Sequence, residues 1–84
     1  MELKYTVYFL NSLLKRRPDI KIEYVERVVR NSLHEELQDD GRMRYHGFIF
    51  EKARYLRVVE ETTGEIHNAI WDDDFKRRWD GKKV

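Results

Sequence analysis

The chain has no cysteine, one proline, four glycines and no long apolar run. Without cysteine there is neither a disulfide framework nor a thiolate metal site, and cysteine usage leaves the redox compartment open. No stretch rich in proline, glycine or serine divides the 84 residues, so residues 1–84 read as one domain. A chain this short buries only about 60% of the surface its unfolded form exposes, so a modest stability margin is expected. The start, MELKYTVYFLNSLLKRR, has acidic Glu2, no basic leader and too little apolar length for a span. Neither a signal peptide nor a membrane helix fits, and a cytoplasmic location with no membrane partner is expected. A Gly-rich phosphate loop and a nucleophile elbow are also missing, which removes the usual supports for nucleotide hydrolysis and acyl-enzyme chemistry.

Charge is abundant instead, with 17 Lys+Arg against 16 Asp+Glu for a formal +1. The total argues weakly for a nucleic-acid partner, but the distribution says more. Pro18 to Gly41 holds seven acids and three bases, a net −4, whereas Arg42 to Arg57 holds five bases and one acid, a net +4. Such segregation suits a sheet face that meets an anion; alternating solvated faces explain it equally well.

Leu3, Tyr5, Val7 and Phe9 alternate with polar neighbours, and Val7, Leu10, Leu13 and Leu14 fit one helical face, which together predict a brief strand leading into a helix. That helix is expected from about Tyr8 to Arg17, with Lys15, Arg16 and Arg17 at its negative end and Pro18 as its stop. Asp19 can cap a second helix whose Ile22, Val25, Val28, Val29 and Leu33 form the apolar stripe. Glu35 to Gly41 reads as an irregular link or a short strand, and Met43 to Phe50 as a clearer strand. Asp72 then opens a last helical turn or two, DDDFKRRW, ended by Gly81, and Lys82-Lys83-Val84 are expected to fray.

The segment YLRVVEETTGEIHNAIW, Tyr55 to Trp71, predicts a hairpin turning at Thr62-Thr63-Gly64, with Gly64 at positive φ. If Glu61 faces Glu65, then Val59 meets His67, Arg57 meets Ala69 and Tyr55 meets Trp71, while Leu56, Val58, Ile66 and Ile70 share a core face. The predicted class is therefore α+β: two N-terminal helices on one face of a small antiparallel sheet, with a short C-terminal helix. The other face, bearing Tyr55, Arg57, Val59, His67, Ala69 and Trp71, is expected to be partly open.

Cleavage of RNA without metal needs a base for the 2′-hydroxyl, cations for the phosphorane-like transition state and an acid for the leaving oxygen. His67 titrates near working pH, Arg57 and Arg44 offer planar donors for phosphate, and Tyr55, Tyr45 or Trp71 can stack on an unpaired base. The plainer explanation is that strand aromatics pack, a strand arginine answers Glu60 or Glu61, and a lone histidine is merely accommodated. No metal is expected. His34-Glu35-Glu36 with Asp39-Asp40, and His67 with Asp72-Asp73-Asp74, lack ligand spacing, and the three aspartates are explained by helix capping.

The order of elements, with YLRVVEETTGEIHNAIWDDDFKRR as its sharpest stretch, resembles small prokaryotic toxin-like proteins related to the RelE and BrnT groups. The resemblance runs from about Tyr8 to Arg78, with its more specific part between Arg42 and Arg78. It implies the barnase/colicin/RelE type of ribonuclease fold: an RNA endonuclease of a toxin–antitoxin pair, an mRNA interferase working without metal or cofactor. RNA and a cognate antitoxin-like small protein are the implied partners. Carried over, it makes His67, Arg57 and Arg44 the catalytic set and Asp74-Phe75-Lys76-Arg77 the C-terminal signature. Lys76 and Arg77 then join Tyr45, Tyr55 and Trp71 as substrate contacts. The alternative is a noncatalytic module of the same fold that binds a protein or RNA.

Overall fold

The computed structural model describes residues 2–82, the last three of these by their backbone. Among the described residues, strands β1 (Lys4–Tyr5), β2 (His34–Leu37), β3 (Met43–Ile49), β4 (Arg54–Glu60) and β5 (Glu65–Trp71) form one sheet in the order β1-β5-β4-β3-β2. Helix α1 has a π-helical turn at Phe9–Leu13 and an α-helical one at Leu14–Arg16; α2 is Ile22–Arg30 and α3 is Asp73–Lys82. The class is α+β, as expected, but the sheet is mixed. β2 to β5 form an antiparallel meander, whereas β1 runs parallel to β5, pairing Lys4 with Glu65 and Tyr5 with Ile66. The meander leaves the outer edge of β5 unpaired. Lys4 and Tyr5 cover the start of that edge and α1 follows it onward, which hides groups that would otherwise template further pairing.

Thr6 starts α1, its Oγ1 accepting the Phe9 N–H at 3.1 Å. Phe9 and Leu13 are buried, and Pro18 follows the helix as expected. Asp19 does not cap α2; Lys21 holds that position without a side-chain bond, and Asp19 Oδ2 accepts the Trp71 indole N–H at 2.7 Å. Tyr24, Val25 and Val28 are buried on α2 while Val29 is partly so, and Leu33 lies beyond the helix and exposed. Val28 sits directly over Gly47 of β3, where a Cβ would meet its Cγ2 at 3.0 Å, so the absent side chain sets how closely α2 approaches the sheet. The core is Phe9, Leu13, Ile20, Tyr24, Val25, Val28, Ile49, Leu56, Val58, Ile66 and Ala69.

The hairpin turns with Gly64 at φ 90°, and Glu61 N–H donates to the Glu65 carbonyl at 2.8 Å, as the sequence predicts. Two residues on, the register departs. Glu60 still pairs with Ile66, but Val59 pairs with Asn68, Arg57 with Ile70 and Leu56 with Trp71. His67 is therefore the extra residue of a β-bulge, and every later residue of β5 changes face relative to the sequence prediction. Ala69, and not Ile70, joins Leu56, Val58 and Ile66 in the core, and Trp71 packs beside it. Ile70 moves to the opposite face.

Asp72 closes β5 and caps α3, its Oδ1 accepting the Phe75 N–H at 3.0 Å. The helix does not end at Gly81 but runs to Lys82; of the residues expected to fray, Lys82 is helical, and Lys83 and Val84 lie outside those described. Phe75 is buried against His46 and Tyr55, which alternate with the inward Gly47 and Leu56, so α3 covers part of the face opposite α2. No helix among the described residues is long and apolar enough to cross a membrane.

Candidate functional site

Alternation on β3 and β4 sets Arg44, His46 and Phe48 beside Val59, Arg57 and Tyr55 on the face away from α2, and these are paired neighbours across the two strands. Asp72 gathers them. Its Oδ2 lies 3.1 Å from His46 Nε2, 3.5 Å from the Arg78 guanidinium and 3.7 Å from that of Arg57. His46 is 3% exposed, roofed by the Phe75 ring at 4.0 Å and 7°. Because a carboxylate only accepts, Nε2 carries the proton of the neutral ring and Nδ1 is bare; that Nδ1 has no partner among the described residues. Burial lowers the His46 pKa below its ordinary value, outweighing the bond and charge of Asp72 that act the other way. Burial acts to raise the Asp72 pKa, but the bonds from His46 and the Phe75 amide and the charge of Arg57 prevail and lower it. For Arg57, burial lowers the pKa, Asp72 opposes, and the like charges of Arg44 and Arg78 add to the lowering.

His67 belongs to a second cluster. The Thr6 hydroxyl lies 3.2 Å from its Nδ1, Glu61 3.9 Å from its Nε2, and the Tyr8 ring 5.0 Å from its own. Arg16 donates a hydrogen bond to the Tyr8 hydroxyl and covers that ring. Between the clusters, Arg57 and its cross-strand neighbour Ile70 each line a depression. One is bounded by Arg57, Asp72, Asp74, Arg77 and Arg78; the other by Tyr8, Leu13, Arg16, Arg17, Asn68 and Ile70. Because Arg57 and Ile70 are paired across β4 and β5, both depressions lie on the outer face, the first beside α3 and the second beside α1.

Of the residues singled out from the sequence, Arg44 and Arg57 share this outer face and Arg77 lines the depression beside α3, ion-paired with Asp74 at 3.0 Å. Lys76 is exposed on α3. Tyr55 is on the outer face but lies beneath Phe75 and against Phe48, at ring distances of 5.3 and 5.1 Å. Three expectations are corrected. Tyr45 turns inward, packs on the core and donates to Glu60 Oε1 at 3.1 Å; burial and the Glu60 charge push its pKa up to about 12. Trp71, moved one residue by the bulge, lies on the α2 side, where Tyr24 and Arg54 contact its ring. Ala69, expected on the open face, is buried. Among the described residues, His67 meets Thr6, Tyr8 and Glu61, and no hydrogen bond or ion pair joins it to Arg57 or Arg44.

Sequence reasoning missed His46, Asp72 and Arg78 as a group. Period-two alternation already set His46 beside Arg44, but Asp72 read as a helix-capping acid, and its second role depends on a pairing 26 residues away. Compared with family models, curated proteins and solved structures, the chain finds no match.

Proposed function

We propose that the protein is a metal-independent RNA endonuclease of the toxin kind, restrained by an antitoxin-like small protein, with RNA lying on the outer face between α1 and α3. One observation carries this reading: the outer face sets Arg57 with Arg77 and Arg78, alongside Asp72 and Asp74, around one depression, and Arg16 and Arg17 at a second beside α1. That arrangement follows a phosphate backbone, and guanidinium groups match phosphate oxygens with two planar donors. His67 is half-exposed at the α1 end, where it can move the proton of a 2′-hydroxyl. Its place in a bulge supports the assignment, since bulges re-aim side chains beside active sites. Arg57 neutralises the transition-state charge. Arg44, on the far side of Val59, meets a neighbouring phosphate, and Lys76 and Arg77 meet the chain as it leaves.

Induction of the wild-type chain without a partner is expected to slow bacterial growth, and His67→Ala or Arg57→Met to relieve the effect, with His67→Ala leaving the melting temperature near that of wild type and Arg57→Met still folded at the growth temperature. Unimpaired growth on wild-type induction, with the protein folded and abundant, contradicts the reading.

A noncatalytic binding module is the second reading, and the β2 edge favours it. Glu35, Glu36 and Leu37 are exposed, and among the described residues β2 has a strand neighbour on one side only. Such an edge can accept a strand from a protein partner.

A further inference from the structure

We propose that Thr6 is a positioning residue for His67: its hydroxyl donates to Nδ1 of the neutral ring, sets the ring hydrogen on Nε2, and keeps hold of the ring when it takes up a proton. What His67 does with that proton rests on the RNA reading; how the ring is held follows from hydrogen-bond geometry alone. Thr6 is itself fixed by its backbone. Its N–H donates to the Ile66 carbonyl at 3.0 Å and its carbonyl accepts the Leu10 N–H at 3.2 Å, so it joins β5 to the first turn of α1. A threonine hydroxyl has one hydrogen to give and two lone pairs. One lone pair takes the Phe9 N–H at 3.1 Å. For the hydrogen, the acceptor within reach among the described residues is His67 Nδ1 at 3.2 Å. Nδ1 accepts only when bare, which in a neutral ring puts the hydrogen on Nε2.

The other edge of the ring makes the same demand independently. Nε2 lies 3.9 Å from Glu61 Oε1, too far for a hydrogen bond, yet close enough for a carboxylate, which only accepts, to favour an N–H over a lone pair. Arg42 donates to the second oxygen of Glu61 at 3.1 Å and keeps that carboxylate in place. The Tyr8 ring flanks the imidazole at 5.0 Å. As the extra residue of the bulge, His67 has no partner across on β4 to steady it, so these side chains do that work. When the ring becomes an imidazolium, Nδ1 gains a hydrogen and the bond reverses, with Nδ1–H donating to the second lone pair of Thr6 Oγ1. A hydroxyl serves in both directions, which neither a carboxylate nor a methyl group can do.

Ring-nitrogen resonances of His67, recorded on the full chain above the range where histidine titrates, test this. Wild type and Thr6→Ser are expected to carry the ring hydrogen on Nε2. Thr6→Asp keeps the cap of α1, because aspartate accepts a first-turn amide at least as well as threonine, but its carboxylate has no hydrogen to give. The ratio of the two neutral forms should therefore swing toward Nδ1–H by about tenfold or more in Thr6→Asp. Glu61→Gln should leave the hydrogen on Nε2, which separates the effect of Thr6 from that of the nearby carboxylate. A hydrogen on Nδ1 in the wild type, a ratio unmoved by Thr6→Asp, or a swing in Glu61→Gln overturns the proposal. The wild-type and Glu61→Gln spectra leave the cap untouched, so they decide even where a change at Thr6 prevents folding. A purely capping Thr6 leaves the ratio unmoved in Thr6→Asp. RNA is absent throughout, so this outcome is separate from the RNA reading.

Discussion

At the scale of single residues, the chemistry turns on which charges are shielded and which face solvent. His46 is roofed by Phe75 and its pKa is lowered, while the unfolded chain takes up its proton at the ordinary value near 6.5. As pH falls through that value the unfolded state binds the proton first, so folding loses stability in the window between the ordinary and the lowered pKa. Asp72, also lowered, adds stability that is present above its ordinary 3.8 and is lost as pH falls through its folded value. Melting curves should therefore show a first decline beginning near pH 6.5 and a second in the acid range; a melting temperature flat from pH 7 to 5 contradicts the burial of a neutral His46. For Arg57 and His67 the expected balance is different, because both are on the outer face and only partly buried. Removing either should lower a cleavage rate by about 10²-fold or more; for His67 stability should change by no more than about 1 kcal/mol, whereas Arg57→Met also takes a counter-charge from buried Asp72 and its rate is compared per folded protein.

At the scale of elements, Gly47 and the bulge at His67 decide the geometry. Val28 lies so close over Gly47 that a side chain there must push α2 away. Gly47→Val is expected to destabilise by about 1–3 kcal/mol, read from denaturant midpoints, and Val25→Asp to prevent folding outright. A near-wild-type midpoint for Gly47→Val would show that α2 does not rest on β3. Strands β1 and β3 to β5, both N-terminal helices and the turn at Gly64 were legible in the sequence, because alternation, helical stripes and a positive-φ glycine are local signals, whereas β2 was left between a link and a strand and the parallel pairing of β1 was not read. The bulge was not. Nothing in GEIHNAIW marks His67 as an extra residue; the choice is made where β5 meets β4 on one side and α1 on the other, and it re-faced Ala69, Ile70 and Trp71 together. Tyr45 was misread for a related reason: β3 has mixed residues on both faces, and which face meets α2 is fixed by Gly47 and Ile49. Arg57 was placed outward because Leu56 and Val58 take the inward positions beside it, whereas Asp72 had a sufficient local explanation that concealed its long-range one.

At the scale of the whole molecule, a formal charge of +1 coexists with arginines around two depressions of the outer face, since much of the acid lies between Pro18 and Gly41. Binding of single-stranded RNA is expected to weaken with salt at a slope of about 0.7 per phosphate neutralised, so three or four of these arginines give a logarithmic slope of roughly 2–3. Arg57→Met should reduce it by roughly one contact. The most direct measurement is cleavage itself: purified wild-type protein added to RNA, with and without translating ribosomes, chelator present throughout. Specific cleavage products that fall by about 10²-fold with Arg57→Met or His67→Ala are the predicted result; RNA left intact under both conditions by folded protein would contradict the nuclease assignment and leave the outer face as a binding surface alone.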